Sequence, residues 1–383
     1  MKKLMVLAVL LVFITGSAYA ADWNFYGSAR VQTTYTNFKA SPFSPSAAAL
    51  GLALGNETSN YEQKLYGNAR IGANVKVSDE LTGQFEYGAQ SSTANIRILW
   101  GEWNFGAGSL GVGQNYTPLL FPYSNQTYSI DTLNKGDHNM STFGMLYGGR
   151  KAQIRLEFGD FQIAAVEPKT LVSLPVGLTA IGRQQPTTEV KFPSIQAKYK
   201  FDFDNGHISA AAGYQTFDVL SGASTYSVDS YILGLGGRID FGGLYFKGNV
   251  WGGQNVGNMA DILVNQQLWS TTGNAGSSNF DGDGWGLAQW TGTGLNDRDA
   301  IAALIVAGYK IREGLYLEAG YGYVQTELDV VNSVEDDADT YYAQATIFLA
   351  PGVFLTPEIG RCDMKQANQS VVTYYGIKWQ INF

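Results

Sequence analysis

The 383-residue sequence holds one cysteine, Cys362, and two histidines, His138 and His207. A lone thiol cannot close an internal disulfide, so covalent staples are excluded as a source of stability and Cys362 is expected to be a small strand residue. With two histidines and no evident grouping of serine, histidine and acid, the sequence offers little to a nucleophile or general base, and an enzyme is not expected. Basic residues are also scarce. The 25 Lys and Arg against 33 Asp and Glu give a net charge of −8, which argues against a general nucleic-acid binder. Long apolar runs are missing as well: although 45% of residues are hydrophobic, nothing beyond residue 20 has enough consecutive apolar residues for a spanning helix.

What the chain does have is 46 glycines, 23 tyrosines and 20 phenylalanines beside only 10 prolines, a composition biased toward many strands. Lys2 and Lys3 precede an apolar run from Leu4 to Thr15, and Ala18-Tyr-Ala20 follows. This is the pattern of a secretory signal peptide over residues 1–20, with residues 21–383 forming one domain without a linker.

The period of that domain is two. Asn24, Tyr26, Ser28, Arg30, Gln32 and Thr34 share one face of the first strand, with Phe25, Gly27, Ala29, Val31 and Tyr35 on the other. The next repeats it, Lys64, Tyr66, Asn68, Arg70, Asn74 and Lys76 opposing Leu65, Gly67, Ala69, Ile71, Ala73 and Val75. Short turns at Ser78 to Glu80, Phe105 to Gly108, Gly159 to Asp160, Asp202 to Gly206, Phe241 to Gly243, Arg312 to Gly314 and Ala350 to Gly352 alternate with longer connections. The long ones run from Lys39 to Gln63, Ser91 to Asn95, Tyr116 to Ser141, Glu167 to Thr188, Phe217 to Ser227, Val256 to Asn296, Thr326 to Ala338 and Asp363 to Gln369. Turns on one rim and loops on the other indicate a transmembrane antiparallel β-barrel of the bacterial outer membrane, of about sixteen strands and wide enough for an aqueous channel. Its final strand carries Tyr375, Ile377, Trp379, Ile381 and Phe383 on the lipid face, and an aromatic end after such alternation looks like the signal read by the barrel assembly machinery.

Between Leu65 and Tyr116 the chain reads Asn68-Ala-Arg-Ile-Gly, Ser78-Asp-Glu-Leu-Thr-Gly-Gln-Phe-Glu-Tyr, Ile96-Arg-Ile-Leu-Trp-Gly and Gly108-Ser-Leu-Gly-Val-Gly-Gln-Asn-Tyr. In order and spacing this is similar to the general trimeric porins of Gram-negative bacteria. The resemblance implies a homotrimer in outer-membrane lipid and lipopolysaccharide, passing small hydrophilic solutes and ions by passive diffusion, without a cofactor. It also implies a third loop folded into the lumen, facing a ladder of basic side chains. Arg70 and Arg97 fall on ladder positions, and alternation independently turns Arg30, Arg70 and Arg97 inward. For a further member the match fails at Gly144 and Met145, leaving Lys151 or Arg155 as substitutes by proximity, and Gln114 stands where an arginine is common. The loop, Tyr116 to Ser141, offers Tyr123, Tyr128, Asp131 and Asp137, with Lys135 and His138 nearby, but lacks the family's Pro-Glu-Phe-Gly-Gly-Asp run.

Three further readings stay open. A substrate-selective channel for sugars, phosphate or organic acids would use the tyrosine-rich loop with Trp251, Trp285 and Trp290 as stacking surfaces. Asn279 with Asp281-Gly-Asp-Gly284 could hold Ca2+ loosely in an external loop, although the bidentate Glu of a full motif is absent. Finally, the small outward residues Gly27, Ala29, Gly67 and Ala69 would suit a subunit contact.

Overall fold

The computed structural model describes residues 21–39, 57–89, 94–128, 139–174, 186–262, 286–331, 333, 335–363, 365 and 371–383. In chain order the wall is built from β1 (Asp22–Lys39), β2 in two pieces (Glu57–Leu65 and Arg70–Lys76), β3 (Leu81–Gly88), β4 (Asn95–Asn104), β5 (Ser109–Tyr116), β6 (Arg150–Phe158) and β7 (Phe161–Val166). It continues with β8, also in two pieces (Thr187–Glu189 and Ser194–Phe203), β9 (Gly206–Ser221), β10 (Ser224–Phe241), β11 (Leu244–Gln254) and β12 (Arg298–Arg312). The last four are β13 (Leu315–Leu328), β14 (Asp336–Ala350), β15 (Val353–Asp363) and β16 (Val371–Asn382). Each strand pairs antiparallel with its sequence neighbours, and β1 closes the ring on β16 from Ser28↔Asn382 to Lys39↔Val371. The result is a closed sixteen-stranded barrel, in which every strand finds a partner on both edges.

The two faces invert the rule for water-soluble proteins. On β10, Tyr231, Leu233 and Leu235 are exposed, Leu233 at 64%, while Ser230 and Ile232, which alternate with them, are fully buried. Gln196, Ser209, Gln215, Lys247, Glu318 and Glu358 are likewise buried, while Ile305 and Ile359 on the same wall point outward. Apolar outside and polar inside is what lipid on one side and a hydrated bore on the other require. No helix among the described residues is long and apolar enough to cross a membrane.

Three local features depart from strict alternation. Tyr66 to Ala69, expected inside a continuous second strand, form a turn closed by Ala69 N–H donating to the Tyr66 carbonyl (3.0 Å). Gly67 and Ala69, expected outward, are therefore buried within that turn. The Phe217 to Ser227 loop is also absent: β9 and β10 stay paired through Ser221↔Ser224, and the chain reverses at Gly222, whose φ of 60° lies in the left-handed region that glycine tolerates. The two strands instead continue as a hairpin. Lastly, β4 carries a bulge opposite Glu86 and Tyr87, so Arg97 and Ile98 are both buried where strict alternation would expose one.

Candidate functional site

Arg97 owes its position to that bulge, which re-aims a side chain by adding a residue to one strand. Its Nε donates to Glu86 Oε1 at 2.6 Å, with both side chains nearly inaccessible, and Nη2 reaches the Tyr116 hydroxyl at 3.3 Å. Glu86 also lies 3.4 Å from Arg70 Nε and accepts from the Tyr26 hydroxyl at 3.1 Å. Arg150 joins from β6, Nη1 donating to Tyr116 Oη at 3.2 Å and the guanidinium lying over that ring. Arg30 is inward and buried, donating to Ser28 Oγ at 2.8 Å. The β1 to β6 wall thus presents a group of arginines around one carboxylate, net positive and held in fixed geometry by charge-assisted hydrogen bonds.

The two substitutes divide. Arg155 lies 4.7 Å over the Trp100 ring, pairs with Glu157 at 2.7 Å and donates to the Tyr116 carbonyl, which places it beside the group. Lys151 is directed elsewhere, donating to the Asn258 carbonyl at 2.9 Å. Gln114 uses its amide on the Ile96 and Arg97 carbonyls, bracing the bulge. Glu86, Tyr26, Tyr116 and Arg150 were not singled out from sequence. Glu86 shares the inward period of Gln84 and could have been found, whereas Arg150 falls on the outward period of Ala152 and Ile154 and could not.

Across from these arginines lies the segment after β5. Leu119 and Phe121 pack with Leu146, Ile232 and Trp251 in one apolar cluster, joined from the wall by Leu304, Val306 and Val324. Tyr123 Oη is 3.0 Å from His207 Nε2. Asn125 donates from its backbone N–H (2.9 Å) and its Nδ2 (2.8 Å) to Glu318, which also accepts from Lys247 Nζ (2.9 Å), Tyr245 and Tyr342. The backbone N–H groups of Thr127 (2.6 Å) and Tyr128 (2.9 Å) donate to Glu358, as does the Tyr374 hydroxyl (2.9 Å), and Tyr66 donates to the Thr127 carbonyl at 2.7 Å. Residues 119–128 therefore pass inward-facing groups of β9, β10 and β13 to β16 before meeting the turn within β2. Tyr128 stacks on Tyr374 with centroids 3.9 Å apart, and burial pushes its phenol well above the ordinary range. Residues 139–149 seat on the same wall: a Cβ on Gly322 would overlap the Phe143 carbonyl oxygen, and Asn249 and Trp251 both donate to the Gly144 carbonyl.

Trp251 and Trp290, considered as stacking surfaces, are both buried, Trp290 among Val172, Phe217 and Val228. Asp131, Asp137, Lys135, His138, Trp285 and the Asn279 to Gly284 group lie outside the described residues, as do residues 1–20. On the final strand Tyr375, Trp379, Ile381 and Phe383 are exposed on the outer face, with Ile377 less so. The Phe383 ring covers Gly27, where a Cβ would overlap it, while Ala29 is exposed on β1 opposite Ile381. Gly27 thus has a reason to be small within its own chain.

A closed sixteen-stranded wall with charged groups facing its bore is the architecture of the outer-membrane porins, and comparison with solved structures bears this out for the fold. The outer membrane channel DcaP of Acinetobacter baumannii superposes with a TM-score of 0.67 at 15% identity, over 95% of this chain and 97% of that one. The anion-selective porin from Comamonas acidovorans matches at 0.57 and 12% identity, over 95% and 100%. The trimer form of OmpT, an outer membrane protein of Vibrio cholerae, matches at 0.54 and 15%, over 95% and 99%. No protein-family model matches the chain, and no curated protein matches it by sequence. The chain has the porin fold.

Proposed function

We propose that this protein is an outer-membrane porin: a water-filled channel through which small hydrophilic solutes and ions diffuse passively, narrowed by a third loop folded into its lumen. The observation that carries the reading is the inverted wall, with Leu233 and Ile305 outward and Gln196, Gln215 and Glu318 inward. The path of residues 119–128 supports the narrowing. By packing on β9, β10 and β13 to β16, the segment leaves passage along the arginine side, where a solute meets Arg70 and Arg150, with Arg97 behind them, across from Glu318, which Lys247 neutralises, and Glu358, which the N–H groups of Thr127 and Tyr128 hold. Fixed positive charge lining a narrow wet passage favours anions without excluding cations, because salt screens it over roughly 8 Å at physiological ionic strength. No bond is made or broken in this function, and the chain is read as a channel and not an enzyme.

The purified protein should need detergent and should give stepwise ohmic conductance in planar bilayers. A water-soluble, electrically silent preparation would overturn the reading. Assembly as a homotrimer belongs to the same proposal, supported by the trimer form of a protein with this fold. Ala29→Trp should then weaken the trimer on native gels, and an intact trimer removes Ala29 from the contact.

A further inference from the structure

Between the arginines and the rim where the short turns lie, the wall holds a cavity of about 410 Å3 lined by Asn24, Asn74, Thr82, Gln84, Glu102 and Asn115, among others. Asn24, Asn74 and Gln84 are consecutive cross-strand neighbours on β1, β2 and β3, and Gln84 faces Trp100 on β4, so they form a short row across the inner wall. Trp23 and Phe25 on the outer face of β1 fix the direction of Asn24 into the bore. Gln84 donates to the Tyr26 hydroxyl at 3.2 Å, and Trp100 Nε1 donates to Glu102 at 3.2 Å. The side chains of Asn24 and Asn74, by contrast, make no hydrogen bond among the described residues and are open to the cavity.

We infer that this row is the second half of a two-part solute site, Arg70 at the accessible edge of the arginine group taking an anionic head group and the carboxamides taking a hydroxylated tail. The inference rests on the channel reading above and adds to it the class of cargo, an anionic polyol such as a sugar acid or sugar phosphate. Carboxamides both donate and accept, as hydroxyls do, so free Asn24 and Asn74 side chains match vicinal hydroxyls better than they match an alkyl chain or a second anion. The Glu102 and Asp22 carboxylates on the cavity accept from hydroxyls and repel a second negative charge, while Lys76 on the same lining is paired with Asp79 at 2.7 Å, which sets the polarity of the bound solute. Spacing agrees. Asn74 and Arg70 are four residues apart on β2, about 13 Å at the rise of an extended strand, and Gln84 and Glu86 are about 7 Å apart. A six-carbon polyol with a terminal anion spans the shorter of these intervals. The Trp100 ring does not serve as a stacking platform, since Gly111 lies against it and Arg155 covers it.

The test is block of KCl current through the full-length protein in a planar bilayer by gluconate, glucose 6-phosphate and hexanoate. Hexanoate has the same chain length and charge as gluconate but no hydroxyls. Gluconate or glucose 6-phosphate should block at least about tenfold more tightly than hexanoate, the value expected from two neutral hydrogen bonds. The Asn24→Ala/Asn74→Ala double variant should lose that factor for the hydroxylated anions while keeping the KCl conductance and the hexanoate block. Whichever hydroxylated anion shows the effect identifies the head group. Equal block by gluconate, glucose 6-phosphate and hexanoate in the wild type overturns the inference, as does block by the polyols that the double variant leaves unchanged. Should the variant fail to insert, the wild-type comparison decides alone. Absence of KCl conductance in the wild type would instead sink the channel reading itself.

Discussion

Replacing Glu86 by Gln removes the carboxylate shared by Arg97 at 2.6 Å and Arg70 at 3.4 Å, and nearly preserves shape. The side chain keeps an acceptor for Arg97 and Tyr26 but loses its charge, so the local net charge rises by one. A unit charge acts on an ion about 10 Å away with ~0.4 kcal/mol in water, reduced to ~0.3 kcal/mol at 0.01 M salt and ~0.1 kcal/mol at 0.15 M by screening. Anions gain this and cations lose it, so the chloride-to-potassium permeability ratio should rise about 2.7-fold at 0.01 M and about 1.4-fold at 0.15 M. Reversal potentials across a KCl gradient, measured at both mean concentrations, read the ratio directly. An unchanged ratio at low salt, or a shift toward cations, would refute the placement of Glu86 beside the permeation path. Loss of charge also leaves the buried Arg97 without its ionic partner, at a cost of about 3 to 5 kcal/mol, so the heat-modified gel transition should fall to lower temperature. That second readout separates weakened packing from altered permeation.

Arg97→Ala should act in the opposite sense, lowering the anion preference, whereas Lys151→Ala should change it much less because Lys151 is directed to the Asn258 carbonyl; equal effects would undo the distinction drawn between them. Glu358→Gln sets its amide hydrogens against one of the N–H groups of Thr127 and Tyr128 and forfeits charge-assisted bonds each contributing about 1.5 to 3 kcal/mol. Single-channel conductance should therefore rise and flicker, and a steady wild-type level would show that the segment is held without it. Gly322→Val drives a side chain into the Phe143 carbonyl and should raise conductance by displacing residues 139–149, with barrel closure retained on gels. Gly27→Leu displaces the Phe383 ring and should slow folding into detergent micelles, measured by the appearance of the heat-modifiable band; wild-type kinetics would deny that contact a role in closure.

The wall was legible in the sequence because each strand obeys a local rule: its side chains alternate, and lipid and water sort them. From that rule follow the all-β class, the count of sixteen, the position of each short turn, and the inward direction of Arg30 and Arg70. It fails where geometry is set by something not local. The bulge that brings Arg97 onto Glu86 depends on register between β3 and β4, and the break at Tyr66 to Ala69 accompanies a hydrogen bond from Tyr66 to Thr127, 61 residues away. Arg150 stands on the outward period and reaches Tyr116 all the same. The bore is likewise not uniformly wet as alternation suggested, since Leu304, Val306 and Val324 face inward to meet Leu119, Phe121 and Leu146. Sequence periodicity determined which side of the wall a residue occupies, because that choice is made one residue at a time. Closure of the ring decided which residues meet across the bore, because those neighbours are distant in the chain and share no local signal.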